Sequence, residues 1–251
     1  KEAIGDGKVF QFMVGDVRDK DRLQLAMRDV DIVFHAAAMK HIDICEQNPF
    51  DAVKTNVIGT SNILELSIME NVSKVIFIST DKATNPSSTL GASKLLAERL
   101  TLDASSHTGE NKTIFAIVRF GNVLGSRGSV FQIFQKQILT NNPLTVTDER
   151  MTRFIMSISD ASKMILKVTN IAKDGEIFIL KMPSVKIEEL AKGMLNVFKK
   201  KLPNHRITNK IKILKSRERE RFDEFLITNE EQVYCHDIGQ MYKISKIENK
   251  K

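Results

Sequence analysis

Tryptophan is absent from this chain of 251 residues, which also has only two tyrosines and two cysteines. Cys45 and Cys235 lie far apart in the sequence and form no metal-ligand pair, so we expect no metal site and a reduced, cytoplasmic setting. No run of apolar residues approaches the roughly 18 that a membrane helix needs, and we expect no membrane span in this chain. The polar first residues do not have the pattern of a signal peptide.

The positive charge of the chain is unevenly distributed. The formal net charge is +7, and the excess of lysine and arginine gathers after residue 199. Because no basic motif is interleaved with aromatic side chains, we expect no nucleic-acid partner. Two interpretations of the cations remain open: a solvated surface, or a few contacts to an anionic substrate such as a diphosphate.

Short apolar runs alternate with helical patterns through the first half of the chain. Strands that are joined by helices in this way lie parallel, which predicts a doubly wound α/β sheet. The predicted strands are 9–14, 31–36, 74–79 and 113–119, and the predicted helices are 20–27, 51–70 and 90–105.

The second half of the chain is less regular. We predict helices over 159–170 and 186–200, a strand over 176–180 between them, and a short strand at 210–214. The length suits a large domain with a small α/β lobe. The predicted organisation is a cofactor-binding domain over 1–140, a mainly substrate-binding lobe over 141–240 and a tail over 241–251.

Four polar or small-residue segments follow the predicted parallel strands. Ligands of doubly wound sheets bind beyond the carboxyl ends of the strands, so these segments are candidate sites. They are Gly15-Asp16, Ala36-Ala37-Ala38, Ser79-Thr80-Asp81-Lys82 and Arg119-Phe120-Gly121-Asn122. No G-x-G-x-x-G turn precedes them, although a dinucleotide-binding sheet normally opens with one. We therefore expect that an N-terminal βαβ unit of roughly fifty residues is missing from this chain.

Six motifs in order resemble one enzyme family over about residues 9–235. They are FHAAAMKH at 34–41, KTNVIGT at 54–60, STDKA at 79–83, FGNVLGSRGS at 120–129, TDERMTRF at 147–154, and the pair Arg217 and Glu220. The chain is similar to the UDP-N-acetylglucosamine 4,6-dehydratases, the polysaccharide-biosynthesis branch of the extended short-chain dehydrogenases. The resemblance implies a Rossmann-like fold, NAD or NADP as cofactor, a UDP-sugar substrate and a homo-oligomer.

The resemblance assigns the chemistry to Thr80, Asp81, Lys82 and Lys94. In these dehydratases a hydride leaves sugar C4, water is lost across C5 and C6, and the hydride returns to C6. The resemblance implies that Thr80 holds the C4 oxygen, Asp81 is the acid and Lys82 is the base. Lys94 would bind the nicotinamide ribose. Most short-chain dehydrogenases have a tyrosine one helical turn earlier, where this chain has Leu90, so we expect Asp81 or Lys82 to accept the C4 hydroxyl proton.

The remaining candidate residues divide between cofactor and substrate. The resemblance implies cofactor contacts by Asp16, Val17, Ala36, Ala37, Ala38, Lys40, Asn56, Ser79 and Lys94. It implies substrate contacts by Lys40, Thr80, Asn122, Arg127, Thr147, Arg153, Arg217 and Glu220. Other interpretations stay open: Asp16 as a helix cap, Lys40 as a solvated cation, and Arg217 and Glu220 as parts of a charged run.

Two other functions compete with the dehydratase. A UDP-sugar 4-epimerase on the same fold would reduce the ketone again after the sugar rotates, but it has no need of a base for C5. An inactive binding or assembly subunit would fit the missing glycine-rich turn and Leu90.

Overall fold

A computed structural model describes residues 10–109, 113–126, 128–203, 210–214 and 221–245. Its strands are β1 Ile32–His35, β2 Lys74–Thr80, β3 Ile114–Phe120, β4 Asn122–Val123, β5 Leu144–Val146, β6 Thr152–Met156, β7 Glu176–Leu180, β8 Ser184–Lys186, β9 Ile211–Ile213, β10 Cys235–Asp237 and β11 Met241–Ile244. Its α-helices are α1 Lys20–Met27, α2 Ile42–Gln47, α3 Pro49–Val53, α4 Gly59–Met69, α5 Thr89–Ala104, α6 Val130–Leu139, α7 Ile158–Ile171 and α8 Ile187–Lys201.

The main sheet has six strands in the order β1-β2-β3-β7-β11-β10. Strands β1, β2, β3 and β7 are parallel, whereas β11 and β10 pair antiparallel at one edge. The predicted doubly wound α/β fold, with a mostly parallel sheet, is confirmed. Most of the predicted elements also agree with the observed ones to within two residues at each end.

The central strands are buried because helices cover both faces of the sheet. Ile76 and Val118 pack with Met164 of α7 on one face. Phe77 and Ile117 pack with Ala97 of α5 on the other. Strands that are covered on both faces read as continuous apolar runs, which is why β2 and β3 are easily found in the sequence.

A second hydrophobic core lies away from the main sheet. It joins α6 and α8 to β5 through Phe134, Leu144, Ala191 and Met194. Strand β5 pairs with β9, and β6 lies between β4 and β8. Most of this core comes from the predicted second lobe, but α6 and Phe134 lie before residue 141, and β7 belongs to the main sheet although it lies between 141 and 240.

Two predictions about local structure were wrong. Residues 10–14 form no strand, because no described strand lies beside them and Phe12 and Val14 are exposed. Residues 241–244 are not part of a tail, because β11 pairs along its whole length with β7. The helix predicted over 51–70 is confirmed over 49–69, with one π-helical turn, Lys54–Ile58, that the sequence did not indicate. Among the described residues, no helix has both the length and the apolar composition to cross a membrane.

Candidate active site

Thr80, Asp81 and Lys82 lie at the carboxyl end of β2, where the strand turns into the short 3-10 helix Asp81–Ala83. The Thr80 hydroxyl donates a hydrogen bond of 2.8 Å to Asp81 Oδ1. Thr84 holds the turn from the other side, since its hydroxyl donates to the Asp81 carbonyl at 2.8 Å. The Asp81 carboxylate is therefore fixed in a fully buried position directly beyond the sheet.

Lys82 lies between two carboxylates. Its Nζ is 2.9 Å from Asp81 Oδ1 and 3.4 Å from Glu224 Oε1. Burial lowers the pKa of Lys82, but the charges of Asp81 and Glu224 more than offset it and the net pKa is raised. Arg153 completes the cluster, with Nε 4.0 Å from Glu224 Oε1. The amine is thus charged in this state and must lose a proton before it can act as a base.

Lys94 projects from α5 under the end of β2. Its ammonium donates to the Ile78 carbonyl at 2.7 Å and lies 4.2 Å from the centre of the Phe77 ring. Burial lowers its pKa to about 8, although the charge of Glu98 acts in the opposite direction. Leu90, one turn earlier, is buried and packs with Cys45 and Ala52. That position therefore supplies no titratable group to the site.

We predict that Lys94→Met stabilises the fold. The pKa of Lys94 is about 8 in the folded chain against 10.5 for a free lysine, so the folded state binds protons less well. The penalty is fully present below pH 8 and disappears as the pH rises towards 10.5. Urea unfolding at pH 7 should show a gain of about 1–3 kcal/mol after the loss of the Ile78 hydrogen bond is subtracted.

The matched control for this prediction is Lys192→Met, because Lys192 is exposed and its ion-pair partners among the described residues, Glu188 and Glu189, lie in its own helix. The control should change the unfolding free energy by less than about 0.5 kcal/mol at any pH. A Lys94→Met chain that is less stable than the wild type at pH 7 would show that the ammonium is well solvated.

Asn56 organises the loop that follows β1. It lies in the π-helical turn, a distortion that often occurs at functional sites. Its side-chain oxygen accepts from the Met39 amide at 2.8 Å, and its Nδ2 donates to the Met39 carbonyl at 3.1 Å and to Ser93 Oγ at 3.0 Å. The Asn56 amide is therefore occupied by Met39 and Ser93. It acts on the site indirectly, by holding the loop that contains Met39.

Asp16 and Val17 do not line the cleft described below. Asp16 accepts three hydrogen bonds from Arg18, one of them from its amide, and these lower the pKa of Asp16 to about 2. Val17 lies against Gly59, where a Cβ atom would approach Val17 Cγ2 to 2.6 Å. The glycine therefore allows this loop to sit close to the helix.

A cleft of about 460 Å³ opens at the carboxyl ends of β1, β2 and β3. Ten of the predicted residues line it: Ala36, Ala38, Lys40, Ser79, Thr80, Lys82, Lys94, Asn122, Thr147 and Arg153. Ala37, which follows Ala36, is exposed, whereas Asp81 and Asn56 are buried and do not line the cleft. The other predicted contacts, Arg127, Arg217 and Glu220, lie outside the described residues.

One end of the cleft has features suited to a dinucleotide. Ala36 and Ala38 present small side chains beyond β1, so that a ligand can approach the backbone. Ser79 Oγ is buried and has no hydrogen-bond partner among the residues that the structure describes. Lys94 lines the same cleft, and its ammonium is bonded to the carbonyl of Ile78, the residue before Ser79. A hydroxyl and a cation of this kind fit the ribose hydroxyls of a nicotinamide cofactor.

The sequence interpretation missed Glu224 and misplaced Arg119. Glu224 follows a charged run and has no motif of its own, so only the fold brings it to Lys82. The Arg119 side chain is buried and binds Glu98, Glu231 and the Leu226 carbonyl, which raises its pKa despite the burial. Arg119 therefore holds the sheet to the segment 226–231 rather than facing a ligand.

Comparison with known proteins gives consistent results. The profile of the family described as polysaccharide biosynthesis protein matches residues 2–246. An uncharacterized membrane protein of Methanocaldococcus jannaschii is 51% identical over 231 residues, which are 92% of this chain and 69% of that protein. The UDP-N-acetylglucosamine 4,6-dehydratase (inverting) of Campylobacter jejuni serotype O:23/36 is 40% identical over 97% of this chain and 70% of its own length. A UDP-glucose 4-epimerase of Rickettsia bellii is 40% identical over 96% of this chain and 69% of its own.

Solved structures show the same fold. Pen from Bacillus thuringiensis superposes with a TM-score of 0.89 and 40% identity, covering 94% of this chain and 72% of that one. DesIV, a dTDP-glucose 4,6-dehydratase from Streptomyces venezuelae with NAD and TYD bound, has a TM-score of 0.74 at 21% identity, over 87% of this chain and 71% of that one.

Proposed function

We propose that this chain, which belongs to the polysaccharide biosynthesis protein family, carries the catalytic site of an NAD(P)-dependent nucleotide-sugar 4,6-dehydratase. The substrate we propose is UDP-N-acetylglucosamine, converted to a 4-keto-6-deoxy sugar with inversion at C5 for surface glycan synthesis. The observation that carries the proposal is the buried Asp81, bonded at once to the Thr80 hydroxyl and the Lys82 ammonium beside an open cleft.

The cofactor part of the proposal rests on Ser79, Lys94 and the alanines beyond β1. When bound, NAD(P)+ would accept a hydride from C4 of the sugar and later return it to C6. Lys94 would hold the nicotinamide ribose, and Asp16 and Val17 the adenine end. Residues 1–140 would form most of the cofactor-binding domain and 141–240 most of the substrate lobe.

Thr80 and Asp81 would accept the proton of the C4 hydroxyl. Thr80 lines the cleft, and its hydroxyl already donates to Asp81 Oδ1. A proton that leaves the C4 oxygen can pass through this hydroxyl to the carboxylate. This relay replaces the absent tyrosine, because Leu90 has no proton to exchange.

Lys82 and Asp81 would then carry out the elimination. The neutral Lys82 amine takes the C5 proton, and the protonated Asp81 gives its proton to the departing C6 hydroxyl, which leaves as water. C5 then takes a solvent proton on the face opposite Lys82, as inversion at C5 requires, and Lys82 releases its own proton to solvent. Over the full cycle each group regains its starting protonation state.

The sugar nucleotide would be held by residues of the second lobe and by β4. Asn122, Thr147 and Arg153 line the cleft opposite β2. Arg153 is a fixed cation, since its Nη1 donates to the Thr152 and Phe222 carbonyls. We propose that Lys40, Arg127, Arg217 and Glu220 add contacts to the diphosphate and ribose. We also propose a homo-oligomer, as the resemblance implies, in the reduced, cytoplasmic setting that the two distant cysteines suggest.

The test of this function uses the full-length protein with UDP-N-acetylglucosamine and NAD(P)+. Mass spectrometry should detect a product that is lighter by one water. Proton NMR of the product formed in deuterated water would report deuterium and configuration at C5. A product of unchanged mass with inverted C4 would instead identify a 4-epimerase, the activity named for the Rickettsia bellii relative. Failure to convert the sugar nucleotide at all would favour the binding or assembly subunit.

A further inference from the structure

Glu224 is a buried carboxylate that the proposed cycle does not yet use. Its Oε1 is 3.4 Å from Lys82 Nζ, and its Oε2 has no hydrogen-bond partner within the described part of the chain. It lines a small cavity with Ser87, Ser88 and Arg221, and this cavity shares Lys82 and Arg153 with the main cleft. Glu224 itself does not line the main cleft, so it contacts Lys82 without lining the space where a substrate would lie.

The proposed cycle leaves one proton without a destination. Lys82 is an ammonium in the resting cluster, because Asp81 and Glu224 raise its pKa. Asp81 has to accept the proton of the C4 hydroxyl, so it cannot also accept the proton of the Lys82 ammonium. A second acceptor must adjoin the amine if Lys82 is to be neutral when the C5 proton is removed.

We infer that Glu224 takes the resting proton of Lys82 and so frees the amine to act as the base for C5. This inference rests on the proposed dehydratase function. One N–H bond of the ammonium breaks and an O–H bond forms on Glu224, with no change in the total charge of the cluster. The proton returns from Glu224 to Lys82 when the cycle ends. Glu224 acts only through Lys82 and is a positioning residue.

Glu224 is buried among charged groups, and Arg153 Nε lies 4.0 Å from its Oε1. The other charged groups at the cluster are Lys82, Asp81, and Arg221 across the small cavity. The distance of 3.4 Å is slightly long for proton transfer, and such contacts often tighten when substrate binds.

The experiment compares pH profiles of the wild type and Glu224→Gln. In the variant Lys82 can lose its proton only to solvent, so the dehydration rate should rise about tenfold per pH unit between about pH 6 and 7.5. Loss of the Glu224 charge also removes one of the groups that raise the pKa of Lys82, so the slope of the profile, rather than the rate at a single pH, carries the test. The wild-type rate should change by less than about twofold over this range, which lies below the Lys94 pKa of about 8. Glu224→Asp, which keeps the carboxylate, should keep the flat profile.

Glu230→Gln is the matched control, because Glu230 is an exposed carboxylate in the same segment. It should reproduce the wild-type profile. A Glu224→Gln profile that is as flat as the wild-type profile overturns the inference and leaves the dehydratase intact. A wild-type protein that forms no lighter product overturns the proposed function itself, so the two failures are separate.

Discussion

Replacing Lys82 by methionine should lower the dehydration rate by about a thousand-fold or more. A side chain that transfers a proton in the rate-determining step contributes about 10²- to 10⁴-fold, and Lys82 is the amine that faces the cleft at the carboxyl end of β2. The measurement is formation of the 4-keto product in single turnover, followed by mass spectrometry. Deuterium uptake at C5 should fall in parallel.

Lys82→Met also leaves Asp81 and Glu224 as buried carboxylates without their shared cation, so it can destabilise the chain. Lys82→Arg is therefore the decisive companion. Arginine keeps the positive charge but does not deprotonate near neutral pH. It should preserve the thermal unfolding midpoint and still lose the activity. Substantial turnover by Lys82→Arg would assign the C5 proton to another group.

Arg119→Leu should lower the free energy of unfolding by about 3–5 kcal/mol, the loss expected when a buried ion pair loses one partner. Arg119 is 1% exposed and donates to Glu98 at 3.1 and 2.7 Å, to Glu231 at 2.9 and 3.0 Å, and to the Leu226 carbonyl at 2.8 Å. Leucine leaves two carboxylates and a carbonyl without these donors. Urea unfolding followed by circular dichroism measures the loss.

Arg150→Leu provides the comparison for an exposed ion pair. Arg150 also binds a carboxylate bidentately, that of Asp148, but its side chain is 69% exposed. Its replacement should change the unfolding free energy by less than about 1 kcal/mol. Adding Glu98→Gln to Arg119→Leu should recover part of the stability, since it removes the unpaired charge. Equal effects of Arg119→Leu and Arg150→Leu would contradict a structural role for the buried cluster.

The sequence was a good guide wherever local pattern and burial agree. Strands β2 and β3 are unbroken apolar runs with helices on both faces, and α5 begins at a serine cap, so their positions follow from the residues themselves. Residues 10–14 have the same apolar composition but no described partner strand, which composition does not reveal. The π-helical turn around Asn56 depends on contacts to Met39 and Ser93 that only the fold brings together.

The candidate site divides in the same way. Thr80, Asp81 and Lys82 are adjacent in the chain, so the strand end that places one of them places all three. Glu224 contacts Lys82 although it is far away in the sequence. Its segment is held there by hydrogen bonds from Arg221 to the Thr84 carbonyl and from the Thr84 hydroxyl to the Phe225 carbonyl. The resemblance pointed to Arg217 and Glu220. The contact with Lys82 that the structure shows is made by Glu224, a few residues later in the chain.

The segment from Arg221 to Glu231 is fastened to the catalytic turn at several points. Arg221 donates to the Thr84 carbonyl, Glu224 pairs with Lys82, and the single hydrogen of the Thr84 hydroxyl is shared between the Phe225 and Asp81 carbonyls. The same segment is also joined to β6, because the Phe222 carbonyl accepts from the Thr152 amide. For protein engineering this means that the catalytic turn cannot be transferred to a relative as an isolated loop. A chimera that exchanges residues 79–84 between relatives will need the matching 221–231 piece from the same parent, and recombination points between the two should be poorly tolerated.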